Sequence, residues 1–150
     1  MSGLLSGLSG EHRDRLLALA HDASFPSGAR IFEEGGRADR FWIVRTGSVT
    51  LDMKVPGRRP VIVETLGPGE LVGWSWLFPP GGWHLGAEAL SPVRAQEFDA
   101  AAVRQLCKDD TALGYELVLA CAQAMGQRLQ SARNRALDLH GGPYNSGGPH

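Results

Sequence analysis

The sequence has no excess of charge of either sign and no long hydrophobic run. Its 150 residues include 15 Lys and Arg against 16 Asp and Glu, for a net charge of -1. This balance predicts no basic surface of the kind that binds nucleic acid or an anionic membrane. No stretch approaches the roughly 18 apolar residues of a membrane span, and residues 1–10 lack the basic start and apolar run of a signal peptide. We therefore expect a cytoplasmic protein that binds neither DNA nor membrane.

Cysteines are also few, and the common catalytic and metal-binding motifs are missing. Cys107 and Cys121 have no CxxC motif and no Cys or His partner at ligand spacing, so we expect two reduced, buried thiols. The sequence contains no Gly-x-Ser-x-Gly elbow, no phosphate-binding loop and no pair of histidines at ligand spacing. These absences predict a protein that is not an enzyme and holds no metal.

Turn-forming residues, in contrast, are abundant, with 20 Gly and 9 Pro. They separate short apolar runs between residues 25 and 99, which is typical of a β-sandwich, barrel or jelly roll. We therefore predict a mainly β fold, a double-stranded β-helix (a jelly-roll or β-roll). The predicted strands cover residues 29–32, 41–44, 48–54, 61–66, 71–73, 86–89 and 93–98.

Helical patterns flank this β region on both sides. Residues 9–22 have an apolar stripe and predict a short N-terminal helix, and residues 100–107 predict another. A long helix is predicted from about residue 110 to 139, where Asp109 and Asp110 supply an N-cap. We expect one domain over residues 1–139, with the β-roll at about 25–99, followed by a flexible Gly- and Pro-rich tail at 140–150.

The long helix has apolar residues at alternating steps of three and four, which is typical of a coiled-coil seam. Its first half is expected to pack on the chain's own β domain through Leu113, Leu117 and Cys121. Packing of the whole helix on that domain is the alternative to a dimer, but the length of the helix favours a two-helix homodimer. The predicted dimer interface contains Val118, Ala122, Met125, Leu129, Ala132 and Ala136.

Two segments of the first half have a pattern of closely spaced glycines, Pro26-Ser27-Gly28-Ala29-Arg30-Ile31-Phe32-Glu33-Glu34-Gly35 and Phe41-Trp42-Ile43-Val44-Arg45-Thr46-Gly47-Ser48-Val49. They resemble the "G-x-x-I-F-x-x-G … F-x-I-V-x-x-G-x-V" pattern of the catabolite-activator family and other cyclic-nucleotide-binding domains. Gly35 and Gly47 fall at turns where we expect positive φ. The resemblance covers about residues 10–139, and it implies a β-roll that senses a small molecule and a long dimerisation helix.

The resemblance also implies a phosphate-binding cassette, and this chain departs from it. In the family, a glutamate accepts the ribose 2′-hydroxyl, an arginine followed by Ser or Thr neutralises the cyclic phosphate, and backbone amides complete the anion site. When Gly73 is aligned with the glycine of the cassette, the glutamate position holds Trp74, the arginine position holds His84, and the Ser or Thr position holds Leu85. The cassette residues that would contact a ligand are Val72, Gly73, Trp74, Ser75, Trp76, Trp83, His84, Leu85 and Gly86.

Burying a phosphate without a charged partner costs several kcal/mol, and Pro79 and Pro80 remove two N–H donors from the turn. A cyclic nucleotide (cAMP or cGMP) in the ordinary pose is therefore not favoured. Three interpretations stay open: aromatic side chains fill the cavity, or they line a pocket for a different, less anionic ligand, or a cyclic nucleotide binds in another pose.

Side chains of the long helix offer further candidates for a ligand contact. Arg128, Ala132 and Arg133 lie near the family's helix-borne ligand contacts, and the two arginines would supply the missing positive charge. The alternative is that the arginines form an ordinary solvated helix face. His84 is either a structural histidine or a pH-responsive phosphate contact.

We therefore predict a regulatory small-molecule sensor that acts as a homodimer and signals through a separate, unidentified protein partner. The residues after the long helix are too few for a helix-turn-helix, so no DNA-binding domain is expected. The alternative is a ligand-free protein-interaction or structural module with an aromatic-filled pocket.

Overall fold

The computed structural model describes residues 3–79 and 81–140. It contains eight strands, three α-helices and two short 3-10 helices. The 3-10 helices cover Leu4–Gly7 and Ser75–Leu77. The helices are α1 (Gly10–Leu17), α2 (Ala100–Asp109) and α3 (Thr111–His140). The strands are β1 (His21–Phe25), β2 (Arg30–Phe32), β3 (Arg40–Thr46), β4 (Val49–Met53), β5 (Val61–Leu66), β6 (Leu71–Val72), β7 (Gly86–Ala89) and β8 (Val93–Asp99).

The strands form two antiparallel four-stranded sheets, in the orders β1-β8-β3-β6 and β2-β7-β4-β5. Consecutive strands alternate between the sheets in places, as in a jelly roll, and the predicted β-roll is confirmed. The predicted share of β structure was somewhat too high, because the helices make up a large part of the chain.

The middle of strand β3, in the first sheet, is buried on both faces, which explains the unbroken apolar run at Phe41-Trp42-Ile43-Val44. Side chains of a strand point alternately to opposite faces. Phe41 and Ile43 pack against the helices in one apolar cluster, while Trp42 and Val44 face the second sheet in another. A strand with two buried faces is expected to be apolar throughout.

Seven of the eight strands follow the predicted ranges closely, and β1 is the exception. The predicted helix over residues 9–22 ends at Leu17 instead, and a strand begins at His21. This strand pairs along its whole length with β8, so sheet pairing overrides the helical pattern there. Its inward residues, Ala23 and Phe25, pack against the cluster between the two sheets.

The helices cover the outer face of the first sheet. Asp99 and Asp110 cap α2 and α3, accepting hydrogen bonds from the backbone N–H of Ala102 (3.0 Å) and Leu113 (3.1 Å), which satisfies orphan donors at the helix starts. Gly47 has a φ of 91° at the turn before β4, and Gly35 has a φ of 86°, as predicted.

The two halves of α3 differ in burial. Leu113, Leu117 and Cys121 are fully buried against the rest of the domain, as predicted. Burial raises the pKa of the Cys121 thiol to about 12, which fits the structural role expected of it. Beyond Cys121 the helix is largely exposed, and Leu129 retains 71% of its accessible surface.

The start of α3 is tied to α1 by Glu116. Its carboxylate accepts a hydrogen bond from the Ser9 backbone N–H (2.9 Å), and the same oxygen lies 2.9 Å from His12 Nδ1. These two contacts hold the pKa of Glu116 below its ordinary value of 4.5. The Glu116 contact raises the pKa of His12 above its ordinary 6.5, with smaller contributions from the nearby Asp110 and Glu11 carboxylates.

This pair predicts a pH-dependent stability. The raised His12 pKa adds stability below pH 6.5 that is lost as the pH rises through the raised value, and the lowered Glu116 pKa adds stability above pH 4.5. We expect His12→Gln to lower the urea midpoint at about pH 5.5 and to have a smaller effect at about pH 8.5. His21→Gln, at an exposed histidine of β1, is the matched control. An equal loss at both pH values would contradict this assignment.

Candidate functional site

The cassette, residues 72–86, begins with a turn that only glycine can make. Gly73 follows β6 with a φ of 94°, a conformation that L side chains rarely adopt. A Cβ atom at this position would also lie 2.6 Å from the Trp83 ring. Gly73 therefore lets the cassette turn and lets an indole lie directly against its backbone.

Trp83 fills the space between the cassette and the β-roll. Its indole stacks on Phe32 at a centroid distance of 4.0 Å and an interplanar angle of 15°, and Trp42 lies at 6.2 Å on the inner side. Only 5% of Trp83 is exposed. Trp83 is thus part of the core between the two sheets and does not form the wall of an open pocket.

Backbone pairing holds Trp83 in this position. The Trp83 N–H donates to the Gly36 carbonyl (2.8 Å), and the Gly35 N–H donates to the Trp83 carbonyl (2.8 Å). A third bond runs from the Ala38 N–H to the Gly81 carbonyl (3.1 Å). The cassette loop is therefore attached to the turn between β2 and β3, and this attachment fixes the backbone from which the indole enters the core.

The cavity that remains beside Trp83, which we call the cassette cavity, is small. It measures about 50 Å³, whereas pockets for drug-sized ligands usually measure about 300–1,000 Å³. It is lined by Phe32, Leu51, Gly73, Trp74, Ser75, Trp83, His84, Leu85 and Arg128. Taken alone, this cavity has room for a water molecule or two, and it shares Leu51, Trp74, Leu85 and Arg128 with the larger space described below.

Three predicted ligand residues, Val72, Trp76 and Gly86, are buried and lie outside the lining of this cavity. Trp76 is 1% exposed and stacks on Phe41 at 4.2 Å in the cluster under the helices, because the 3-10 helix turns it to the opposite side from Trp83. Arg104 donates to its carbonyl at 2.6 Å. Val72 is fully buried between the sheets. The aromatic residue that fills the cavity is therefore Trp83, and Trp76 contributes to a different cluster.

His84 and Trp74 form the outer edge of the cassette. Their rings stack at 5.3 Å with an interplanar angle of 24°, and Phe78 meets Trp74 edge-on at 6.1 Å. His84 is exposed, and among the described residues it makes neither a hydrogen bond nor an ion pair. The described part of the chain holds no group of three or more residues placed to bind a metal ion.

A second, larger space lies between the cassette, strands β4 and β5, and α3; we call it the α3 groove. It measures about 620 Å³. Its walls are almost entirely apolar, and its charged lining residues are Glu64, Arg128 and Arg135. The other lining residues are Leu51, Val63, Trp74, Leu77, Phe78, Leu85, Val118, Cys121, Ala122, Met125, Leu129 and Ala132.

Arg128 lies where the groove meets the cassette cavity and lines both spaces. Its guanidinium donates to the Leu71 carbonyl. Burial lowers the pKa of Arg128, and the carboxylates of Glu70 and Glu64 only partly offset this effect. The group nevertheless stays protonated, because a guanidinium keeps its proton throughout the physiological range.

Ala132 and Arg133, the two other helix residues predicted to contact a ligand, lie on different sides of α3. Ala132 lines the α3 groove. Arg133 is exposed and lies outside the lining of both spaces, since it is on the far side of α3. Arg135, which was not among the predicted residues, pairs with Glu64 at 2.9 Å and donates to the Val63 carbonyl at 2.7 Å. The helical spacing from Arg128 to Arg135, two turns on the same face, was the available signal.

Comparison with known proteins agrees with this architecture. Residues 23–110 match the family model for the cyclic nucleotide-binding domain. The chain belongs to this family. A CRP-like cAMP-activated global transcriptional regulator of Mycobacterium tuberculosis is 26% identical over 138 residues, which is 92% of this chain and 60% of the relative. The chain thus spans about three fifths of the curated relatives it matches.

Solved cyclic nucleotide-binding structures have the same fold. A putative cyclic nucleotide-binding protein from Geobacter metallireducens is 28% identical with a TM-score of 0.74, over 84% of this chain and 91% of that one. The catabolite activator protein of Thermus thermophilus is 27% identical with a TM-score of 0.73, over 92% of this chain and 62% of that one. The predicted membership of the cyclic nucleotide-binding family is therefore confirmed.

Within this cyclic nucleotide-binding fold, the predicted dimer residues lie on an open face of α3. Val118 is 49% exposed, Ala122, Ala132 and Ala136 are exposed, and Met125 is half-buried. Five of the six also line the α3 groove. Their part in a dimer stays a prediction. No helix among the described residues is long and apolar enough to span a membrane.

The position of Trp83 predicts its effect on stability. Replacing a buried tryptophan by alanine usually costs about 3–5 kcal/mol through lost apolar contact and a cavity. We expect Trp83→Ala to reduce the free energy of unfolding by an amount in this range, measured by urea denaturation. Trp74→Ala, at a half-buried position of the same cassette, is the control and should cost clearly less. Equal losses for the two variants would contradict the core position of Trp83.

Proposed function

We propose that this domain is a regulatory ligand sensor that does not respond to cAMP or cGMP in the family's ordinary pose. The observation that supports this proposal best is the position of Trp83, which leaves a cassette cavity of only about 50 Å³. The glutamate and arginine that the family uses for ribose and phosphate correspond to Trp74 and His84 here. Both volume and charge therefore oppose a nucleotide at that position.

The regulatory part of the proposal comes from the relatives. The similar proteins from Mycobacterium tuberculosis and Pseudomonas aeruginosa are cAMP-activated transcriptional regulators. We infer that this chain also regulates, without catalysis, and acts in the cytoplasm. The net charge of -1 supports an output through a protein partner more than through the phosphate backbone of DNA.

The signal would pass through α3. This helix borders both the cassette cavity and the α3 groove, and its second half is largely exposed. A ligand that binds one position of the helix better than another shifts the population toward that position. We infer that two copies pair along the exposed apolar face of α3, so that a change at the site alters the pairing or the tilt of the two helices.

A second candidate function is a ligand-free interaction module. The nearly filled cassette cavity supports it, because the core at the cassette is complete without a bound ligand. The two functions differ in whether any small molecule stabilises the protein, and the α3 groove is the space in which the sensor would bind one.

The nucleotide part of the proposal is tested by thermal unfolding with 1 mM cAMP or cGMP. A ligand at about a hundred times its dissociation constant adds about 2.7 kcal/mol and raises the midpoint by several degrees. We expect no measurable rise for this protein. The cAMP-activated regulator from Mycobacterium tuberculosis serves as the positive control in the cAMP arm. A rise of several degrees with either nucleotide would refute this part of the proposal.

The dimer is tested by sedimentation equilibrium of the wild type and two matched variants. Leu129 and Leu137 are both exposed leucines of α3, at 71% and 56%, but only Leu129 lies on the predicted seam. We expect a dimeric wild type, a monomeric Leu129→Glu variant and a dimeric Leu137→Glu variant, because a buried unpaired carboxylate disrupts an apolar interface. A monomeric wild type would disprove the pairing.

A further inference from the structure

We propose that the α3 groove binds an organic molecule with a flat apolar body and one carboxylate, and that this carboxylate pairs with Arg128. The inference rests on the proposed function, because it names the class of ligand that such a sensor would take. It differs from a cyclic nucleotide in the cassette, since the apolar body would lie beside α3 and not against Gly73.

The groove has the size and lining of a small-molecule site. Its volume of about 620 Å³ falls within the range of about 300–1,000 Å³ that is typical of ligand pockets. Trp74 and Phe78 form an aromatic wall, and Phe78 retains 67% of its accessible surface. An exposed phenylalanine beside apolar side chains is expected to bind an apolar or aromatic surface.

Arg128 gives this apolar groove a single available charge. Its guanidinium has five N–H donors, and its hydrogen bond goes to the uncharged Leu71 carbonyl. Among the described residues, no carboxylate oxygen lies within 4.0 Å of a guanidinium nitrogen of Arg128, the distance that defines an ion pair. The two nearby carboxylates are engaged elsewhere: Glu70 accepts from the Gly67 N–H (2.8 Å), and Glu64 pairs with Arg135 (2.9 Å).

A half-buried cation without a counter-charge favours an anionic ligand. Burial makes water a poorer substitute partner for the guanidinium, which is the cause of its lowered pKa. A carboxylate matches a guanidinium in charge and in planar geometry and can accept two of its N–H groups at once. An incoming carboxylate would therefore satisfy donors that the protein leaves free.

The rest of the lining argues against a nucleotide in the groove. A ribose and a purine edge need several hydrogen-bond partners, and a buried polar group without one costs free energy. The charged side chains of the lining are Glu64, Arg128 and Arg135, and Glu64 and Arg135 already pair with each other. Arg128 is thus the charged side chain left to pair with a ligand, and it can satisfy one anionic group.

The α3 helix of a second copy, which the proposed dimer places against the seam residues, would bring no free carboxylate to Arg128. Its acidic residues are Glu116 and Asp138, and Glu116 is bound to Ser9 and His12. The seam opposite Arg128 would offer apolar side chains, so pairing alone would leave the guanidinium without a counter-charge. Charge complementarity therefore favours a small anion as the partner of Arg128, next to the apolar seam that the second helix would contact.

The inference is tested by isothermal titration calorimetry with 2-naphthoate and 2-naphthol, which share a flat ring system and differ in the carboxylate. We expect the wild type to bind 2-naphthoate about tenfold more tightly than 2-naphthol, or better, because a charge-assisted hydrogen bond is worth at least that factor. Arg128→Met should abolish this preference. Arg128→Lys should retain part of it, since it keeps the charge without the planar fork.

Arg133→Met is the matched control, because Arg133 lies on the same helix but outside the groove, and it should bind like the wild type. Circular dichroism would establish that each variant is folded. Equal affinities of acid and alcohol, or a preference that survives in Arg128→Met, would overturn the inference. So would a dimeric wild type that binds neither probe, since the groove would then be covered by the second copy. That last result leaves the proposed dimer intact, whereas tight cAMP binding would refute the proposed function itself.

Discussion

The close approach of the Trp83 indole to the backbone at Gly73 is the contact on which the chemistry of this domain depends. This contact requires that residue 73 has no side chain, and that the backbone of Trp83 is paired with Gly35 and Gly36. Together these conditions turn a cassette into part of the core. The same stacking of Trp83 with Phe32 and Trp42 also fills the space between the two sheets. The same indole therefore both fills the cassette cavity and completes the core between the sheets.

With the cassette cavity nearly filled, the larger open space of the domain lies beside α3. Trp74 and Phe78 form a wall of this space that faces α3. Arg128 lies at the junction of the two spaces. In this member of the cyclic nucleotide-binding family, the larger open space therefore lies beside α3, the helix through which we propose that a signal passes.

Most of the fold could be predicted from local patterns. The Gly and Pro spacing locates seven strands, and the apolar spacing of Leu113, Leu117 and Cys121 correctly predicts which part of α3 is buried. Strand β1 could not be found in this way, because its pairing with β8 joins residues far apart in the sequence. The same limit applies to the site. The sequence shows aromatic residues in the cassette, but it does not show the long-range backbone pairing of Trp83 with Gly35 and Gly36, or that the 3-10 helix turns Trp76 into the other cluster.

The uneven burial of α3 also has a mechanical consequence. Cys121 is its last buried residue among those described, and beyond it the helix is fastened to the sheet by the arginine contacts to Leu71, Val63 and Glu64. The segment from residue 121 to 140 is about 28 Å long at 1.5 Å per residue. Arg128 fastens this segment near the cassette, and Arg135 fastens it again close to its end. A tilt of about 5° about a pivot near the cassette would displace the far end by about 2.5 Å, and the Arg135 contacts would have to break or adjust. Such a displacement would exceed the helix shifts of about 1–2 Å that accompany switching at subunit interfaces.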